Sequence, residues 1–327
     1  MTDPTSTGPT PSTAGAATSP RPFRFGVQAS TAPTRAAWAD LARRVEANGY
    51  SVLTVPDHFD GQLAPVPALM AAADATTSLR VGALVWDNDY KHPLVLAKEL
   101  ATMDLLSDGR LEVGLGAGWM RSDYEQSGIP YDTPKVRIDR FVEGIAVIKG
   151  AFGAGAFSHA GEHYTITGYD GLPKPVQSPP PLLIGGGGRR VLTIAAREAD
   201  IVGINGTMHA GVIGPDAIAS MTAEAVEEKV AIVREAAGER LGAIEMNVRV
   251  FMVNVTDDRA GAIDFLASAL SVERSFVEES PFALIGSPAK IAEDLLARRE
   301  RWGFSYAIVG ADDVERFAPV VAALAGT

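Results

Sequence analysis

Four consecutive glycines, Gly185, Gly186, Gly187 and Gly188, follow the apolar run Leu182–Ile184 and precede Arg189 and Arg190. A helical pattern, VLTIAARE, comes next. An apolar strand, a glycine turn and a helix start make the chemistry of an anion site. Glycine lacks a Cβ, so backbone N–H groups can approach a phosphate closely. Unpaired first-turn amides and the helix dipole favour negative charge there, and the two arginines add positive charge at the rim. The competing explanation is a β-to-α turn that needs glycine only for positive φ. A second couple with chemical capacity is Asp57–His58 in the stretch VPDHF. It suits acid/base or hydrogen-bonding work against a ligand. It equally suits an N-cap aspartate beside a partly buried structural histidine.

Other stretches carry weaker signals. In GLGAGW, Ala117, Gly118 and Trp119 offer a flat surface on which a planar ring can lie, or glycines that pack against a neighbouring helix. Lys91-His92-Pro93 puts a cation ahead of a helix, where it holds an anion or simply meets solvent. Asp123 and Glu125 read as a solvated helix start. No HExxH occurs and the five histidines are scattered, which argues against a metal site. No GxSxG occurs, so a serine hydrolase is poorly supported. The absence of cysteine excludes disulfides, thiolate zinc sites and a cysteine nucleophile.

The elements that must position these residues alternate. Strands are expected at Phe23–Ser30, Val52–Val55, Leu79–Trp86, Leu111–Trp119, Leu182–Ile184, Asp200–Asn205, Ile244–Val255 and Ser305–Gly310. Helices are expected at 35–48, 67–76, 93–106, 135–152, 189–198, 221–237, 259–274, 288–302 and 313–324. In the first helix, Trp38, Leu41, Ala42 and Val45 share one face, and Gly49 suits its end. Phe157–Pro181 breaks the rhythm with a hairpin-like FSHAGEHYTI and a proline-rich run. Eight strands, each followed by helical sequence, predict an α/β fold, a (β/α)8 TIM barrel with inserted loops at the carboxyl-end face. A doubly wound sheet would want GxGxxG after strand one, where the chain instead reads ASTAPTR. In such a barrel the chemistry sits at the carboxyl ends of the strands.

The chain has 327 residues, 46% hydrophobic and 21% charged, with a net charge of −11. That supports a large core, and the acidic balance argues against nucleic acid or an anionic membrane surface as a main partner. No apolar run reaches the ~20 residues that span a bilayer. Residues 1–22 are rich in Thr, Ser, Pro and Gly, lack the pattern of a secretory signal, and are expected to be disordered. Residues 23–327 are expected to form one domain in a cytoplasmic protein.

The motifs VPDHF, KHP, SDGRLEVGLGAGWMRSDYEQSG and IGGGGRRVLTIAAREADIVGIN, in that order, resemble the luciferase-like monooxygenase superfamily, in particular its coenzyme F420-dependent oxidoreductase branch. The resemblance covers the chain from Phe23 onward. It implies a deazaflavin at the barrel mouth, with its phosphate on Gly185–Arg189 and its ring against a bulge at Ala83, Leu84 and Val85. Gln28, Asp57, His58, Ala117, Gly118 and Ser122 would complete the cofactor contacts. His58, Asp57 and Trp119 would be the catalytic group. In F420-linked sugar-phosphate dehydrogenases of this family the matching histidine acts on the substrate hydroxyl. A glutamate stands there where this chain has Trp119, so Trp119 reads as a wall of the substrate pocket. The resemblance implies hydride transfer between F420 and a small organic substrate. The alternative cofactor is FMN, in a two-component monooxygenase that receives FMNH2 from a separate reductase. It also implies a homodimer. The substrate would be set by the loops Asp87–Tyr90, Phe157–Pro181 and Thr207–Ala217.

Overall fold

The structure, a computed structural model, describes residues 20–327. Most of the expected tail, residues 1–19, lies outside the described residues. Eight parallel strands form the barrel: Arg24–Gln28, Val52–Val55, Arg80–Ala83, Leu111–Gly116, Leu182–Gly186, Ile201–Ile204, Glu245–Arg249 and Phe304–Gly310. Strand one lies between strands two and eight, and the pairing of strand three with strand four closes the ring. These strands are mostly buried along their length because helices cover them outside and side chains fill them inside, with charged residues such as Arg24, Glu112 and Glu245 gathered at one end. Val52, Leu183, Ile201, Tyr306 and Ile308 form that inner filling. At the amino-terminal end, Glu112 binds Arg24 and, at 2.9 Å, the Nε of Arg80. Arg24 also meets Glu245 at 2.7 Å and stacks 3.6 Å over the Tyr306 ring. This buried ion cluster closes the end of the barrel that carries stability.

The helices follow their sequence signals. Helix Arg35–Ala47 begins at Thr34, whose side chain accepts from the Ala37 N–H, and buries Trp38, Leu41, Ala42 and Val45. Each such apolar side chain contributes about 1.5–3 kcal/mol of transfer free energy on burial. Gly49, at φ +80°, turns the chain out of it.

Three expected strands differ from the outcome. The third ends at Ala83, and the chain pairs again only at Trp86–Asp87, along strand four. The fourth ends at Gly116 rather than Trp119. The seventh, expected over Ile244–Val255, divides after Arg249. Met252–Val255 leaves the barrel and pairs in parallel with Ala283–Gly286, a strand that the helical reading of this region overlooked. With helices Arg259–Leu270 and Arg274–Glu279 this pair encloses a small apolar cluster of Ile263, Ala267, Val277, Ala283 and Ile285. The hairpin is present as Phe157–Ala160 and Thr165–Tyr169, held by the Glu143 carboxylate, which accepts from the N–H groups of Glu162, His163 and Tyr164 at 2.8–3.0 Å. Among the described residues no helix is long and apolar enough to cross a membrane.

Candidate active site at the barrel mouth

Strand two is buried throughout and stops at Pro56, which leaves Asp57 and His58 half-buried at its carboxyl end. The imidazole is fixed from one side. Its Nδ1 lies 2.7 Å from Asp123 Oδ2. An ionised carboxylate has no proton to give, so Nδ1 donates; in the neutral imidazole the lone pair is then on Nε2. Nε2 has no partner among the described residues. The same Asp123 oxygen accepts from the Tyr90 hydroxyl at 2.7 Å, and Oδ1 accepts from the Phe59 N–H at 3.3 Å. Asp123 is 2% exposed. The expected solvated helix start is therefore corrected for Asp123, although Glu125 is exposed as expected. Helix Arg121–Ser127 turns Asp123 and Tyr124 inward while Arg121, Ser122 and Glu125 face water.

Asp57 is not an N-cap. Its Oδ2 accepts from the Asp87 N–H at 3.2 Å and so links strand two to the segment beyond strand three. Burial raises the Asp57 carboxyl above its ordinary range, partly offset by that hydrogen bond and by Lys91. Burial also pushes Asp87 up to about 8, with the neighbouring Asp89 and Asp57 charges adding to it. Tyr124 donates to Asp89 Oδ2 at 3.0 Å and lies 3.3 Å from Asp87 Oδ2. Arg140 Nε lies 2.7 Å from Asp89 and compensates its charge. Burial raises the phenols of Tyr90 and Tyr124, which keeps both as donors.

Between strand three and Trp86 the Leu84–Val85 peptide is cis. Leu84 and Val85 lie on the inner filling of the barrel and form the floor of the mouth. This bulge needs glycines on strand four. A Cβ at Gly114 would come 2.1 Å from the Ala83 carbonyl oxygen, and one at Gly116 2.6 Å from Val85 Cγ2. Gln28 braces the bulge: its Nε2 donates to the Leu84 carbonyl at 3.1 Å, while its Oε1 accepts from Arg249 Nε at 2.8 Å. Burial lowers Arg249 to about 10. Trp119 stands edge-on to His58, ring centroids 5.7 Å apart, and its carbonyl accepts from the Tyr131 hydroxyl at 3.1 Å. Ala117 and Gly118 are half-buried, and Ser122 is exposed.

The glycine loop lies at the end of strand five, next to strand four and three strands round from His58 on strand two. None of Gly185–Gly188 has positive φ, so a simple turn requirement does not explain them. A Cβ on Gly186 would meet Val191 at 2.6 Å and one on Gly187 the Gly206 carbonyl at 2.3 Å, whereas Gly185 and Gly188 have no neighbour nearer than 3.7 Å. Two of the four thus serve packing, and two leave room for a ligand. Gly188 precedes helix Arg189–Glu198 without a side-chain cap, and the first helical bond is Leu192 N–H to Gly188 at 3.0 Å. The N–H groups of Arg189, Arg190 and Val191 therefore face outward, free of helical bonds. The expected pair of rim cations is corrected to one: Arg190 turns away to Asp139 and the Lys135 carbonyl. Arg189 is exposed and makes no ion pair among the described residues. Lys91 is not free either, since it meets Glu99 at 2.7 Å.

The mouth therefore offers an open anion cradle, an apolar floor, an aromatic wall and a histidine with one free nitrogen. The glycine cradle and uncapped helix fit a phosphate, and the Leu84–Val85 floor fits a planar ring. An apolar groove of about 560 Å³ lies outside the barrel between helices Pro65–Ala75 and Pro93–Leu106 and has no part in this arrangement.

Comparisons with known proteins accord with this geometry. The FMNH(2)-dependent dimethylsulfone monooxygenase of Pseudomonas putida is 27% identical over 206 residues, 62% of this chain and 53% of that protein. The F420-dependent glucose-6-phosphate dehydrogenase of Amycolatopsis mediterranei is 30% identical over 148 residues, 42% of this chain and 44% of that protein. The chain thus spans about half the length of the curated relatives it matches. The coenzyme F420-dependent tetrahydromethanopterin reductase of Methanopyrus kandleri shares the fold with a TM-score of 0.74 at 18% identity, over 92% of this chain and 97% of that one. A family model described as luciferase-like monooxygenase matches residues 19–306. With the closed barrel and the site at its mouth, the chain belongs to the luciferase-like monooxygenase family.

Proposed function

We propose that the protein is an F420-dependent oxidoreductase acting on a small organic substrate. The observation that carries this reading is His58, held at Nδ1 by buried Asp123 and open at Nε2, beside the Leu84–Val85 floor and the Trp119 wall. Coenzyme F420, when bound, supplies hydride transfer at C5 of its ring. Gly185, Gly188 and the first amides of the following helix would bind its phosphate. Ala83, Leu84 and Val85 would back its ring, with Gln28 keeping them in place. His58 Nε2 would take or return the substrate proton as hydride moves, and Trp119 would bound the substrate space and exclude water. The reading carries with it a homodimer, a cytoplasmic setting and a separate enzyme that keeps the cofactor reduced.

A second reading, an FMN-dependent monooxygenase fed with FMNH2 by a reductase, is favoured by the wider coverage of the dimethylsulfone monooxygenase match. Titration of the purified protein with F420 and with FMN, followed by fluorescence, separates the two. Saturable binding of F420 with weaker FMN binding supports the first. Tight FMN binding with oxygen-dependent turnover of FMNH2 would overturn it in favour of the second.

A further inference from the structure

Behind the glycine loop stands a buried cation. Lys229, on helix Ala223–Ala237, is 6% exposed. Its Nζ donates to the carbonyls of Asn205 at 2.7 Å and Ser220 at 2.6 Å. No carboxylate pairs with it among the described residues, and burial alone lowers it, to about 8. A buried ammonium satisfied only by carbonyls is costly to keep, and among the described residues no carboxylate stands within ion-pair distance to offset its charge.

The segment that Lys229 holds is the seat of the glycine loop. The Asn205 N–H donates to the Gly186 carbonyl at 3.0 Å. The Thr207 hydroxyl donates to the Gly187 carbonyl at 3.1 Å, and the Thr207 N–H donates to Ser220 Oγ at 2.7 Å. Gly187 packs so closely on the Gly206 carbonyl that no side chain fits between them. Lys229 thus ties Asn205 and Ser220, and through them Thr207, to the underside of Gly186 and Gly187.

We propose that Lys229 is a positioning residue for a phosphate-bearing cofactor: it fixes the seat of the glycine loop and supplies an uncompensated positive charge that the ligand's phosphate balances. This rests on the reading of Gly185–Gly188 as the phosphate loop. The structural alternative, a donor that merely ties two carbonyls, makes a different prediction, because a neutral donor would serve it equally well.

The experiment compares ligands that differ only in the phosphate: FMN against riboflavin, and the 5′-phosphate of 8-hydroxy-5-deazariboflavin, the tail-free core of F420, against 8-hydroxy-5-deazariboflavin itself. Dissociation constants are measured for the wild type, Lys229→Gln and Lys229→Arg. Glutamine keeps a donor for the carbonyls and loses the charge, while arginine keeps the charge. The wild type prefers the phosphate-bearing ligand. K229Q loses about 10- to 100-fold of that preference, as expected for one charge-assisted interaction, with affinity for the phosphate-free ligand unchanged. K229R retains most of it. A K229Q protein with wild-type preference, or one that loses affinity for both ligands equally, overturns the proposal. Should K229Q not fold, Lys229→Ala titrated with ethylammonium gives the same reading: return of the preference supports the role of the charge, and no return refutes it. A wild type without any phosphate preference instead refutes the phosphate-loop reading itself.

Discussion

Gly118→Ala tests whether the glycines at the end of strand four serve the ligand or the protein. Gly118 has φ +74°, and a Cβ there would come 1.8 Å from the Tyr124 hydroxyl and 2.7 Å from Asp87 Oδ2. Tyr124 is 1% exposed and its hydroxyl is bonded to Asp89 at 3.0 Å, so the ring has no room to swing aside. A left-handed non-glycine residue costs about 1–2 kcal/mol, and forcing a methyl group into a packed site costs about 1–3 kcal/mol more. The expected destabilisation is therefore about 2–5 kcal/mol. Gly128, ten residues on, has φ +77° and nothing within 4 Å of its would-be Cβ, so Gly128→Ala should cost only the backbone share, about 1–2 kcal/mol. Urea unfolding of both variants, read from midpoints at unchanged slope, gives the difference. Equal losses would refute the packing argument. A G118A protein with unchanged stability and weakened cofactor binding would show that ligand approach, not Tyr124, demands this glycine.

Further outcomes follow from the site. Asp123→Asn should leave the fold intact but loosen the His58 tautomer, visible as a change in the imidazole 15N shifts, and should slow turnover about 10-fold or more through loss of a charge-assisted bond; unchanged shifts would dissociate Asp123 from His58. Gly188→Asp, which puts a carboxylate in open space at the cradle, should abolish preference for phosphate-bearing ligands with little change in stability, whereas Gly187→Asp should destabilise the protein because its side chain meets the Gly206 carbonyl; the two are separated by thermal melts and binding titrations. Asp87, raised to about 8, holds its proton when folded and loses it when unfolded, so it lowers stability progressively as pH rises from about 4 towards 8. Asp87→Asn should remove that slope, and its stability relative to the wild type should grow over the same pH range; a constant difference in melts from pH 4 to 8 would contradict the raised value.

Local signals in the sequence carried far. The stripe of Trp38, Leu41, Ala42 and Val45, and the helix Pro93–Leu106 with proline at its start, appear as expected because helix period and proline placement are local properties. His58 was legible because Pro56 ends a buried strand just before it. Asp123 was not, since its partners His58 and Tyr90 lie 65 and 33 residues away and no local pattern records them. The break in strand seven was hidden for another reason. The alternation of Ile244–Val250 passes into an unbroken apolar run, Val250–Val253, with no turn residue between them, while the backbone changes partner: Val250 N–H donates to the Ile308 carbonyl, and Phe251 N–H to that of Phe282. The glycines are ambiguous for a third reason: a close approach by the protein's own backbone or side chains, as at Gly186 and Gly187, leaves the same trace in sequence as an approach by a ligand.

The seven-residue helix Arg121–Ser127 has a consequence for how this protein can change. Asp123 receives His58 and Phe59 from the loop after strand two and Tyr90 from the segment after strand three, and Tyr124 bonds Asp89 in that same segment. Three mouth loops therefore share a single clamp that itself belongs to the third. Grafting a relative's loop after strand two or strand three alone, to redirect substrate choice, would break polar contacts at a buried carboxylate. The workable unit of exchange is the set of all three segments moved together, and the loop after strand six is tied to the same helix, because the Gly211 carbonyl accepts from the Arg121 N–H at 3.0 Å.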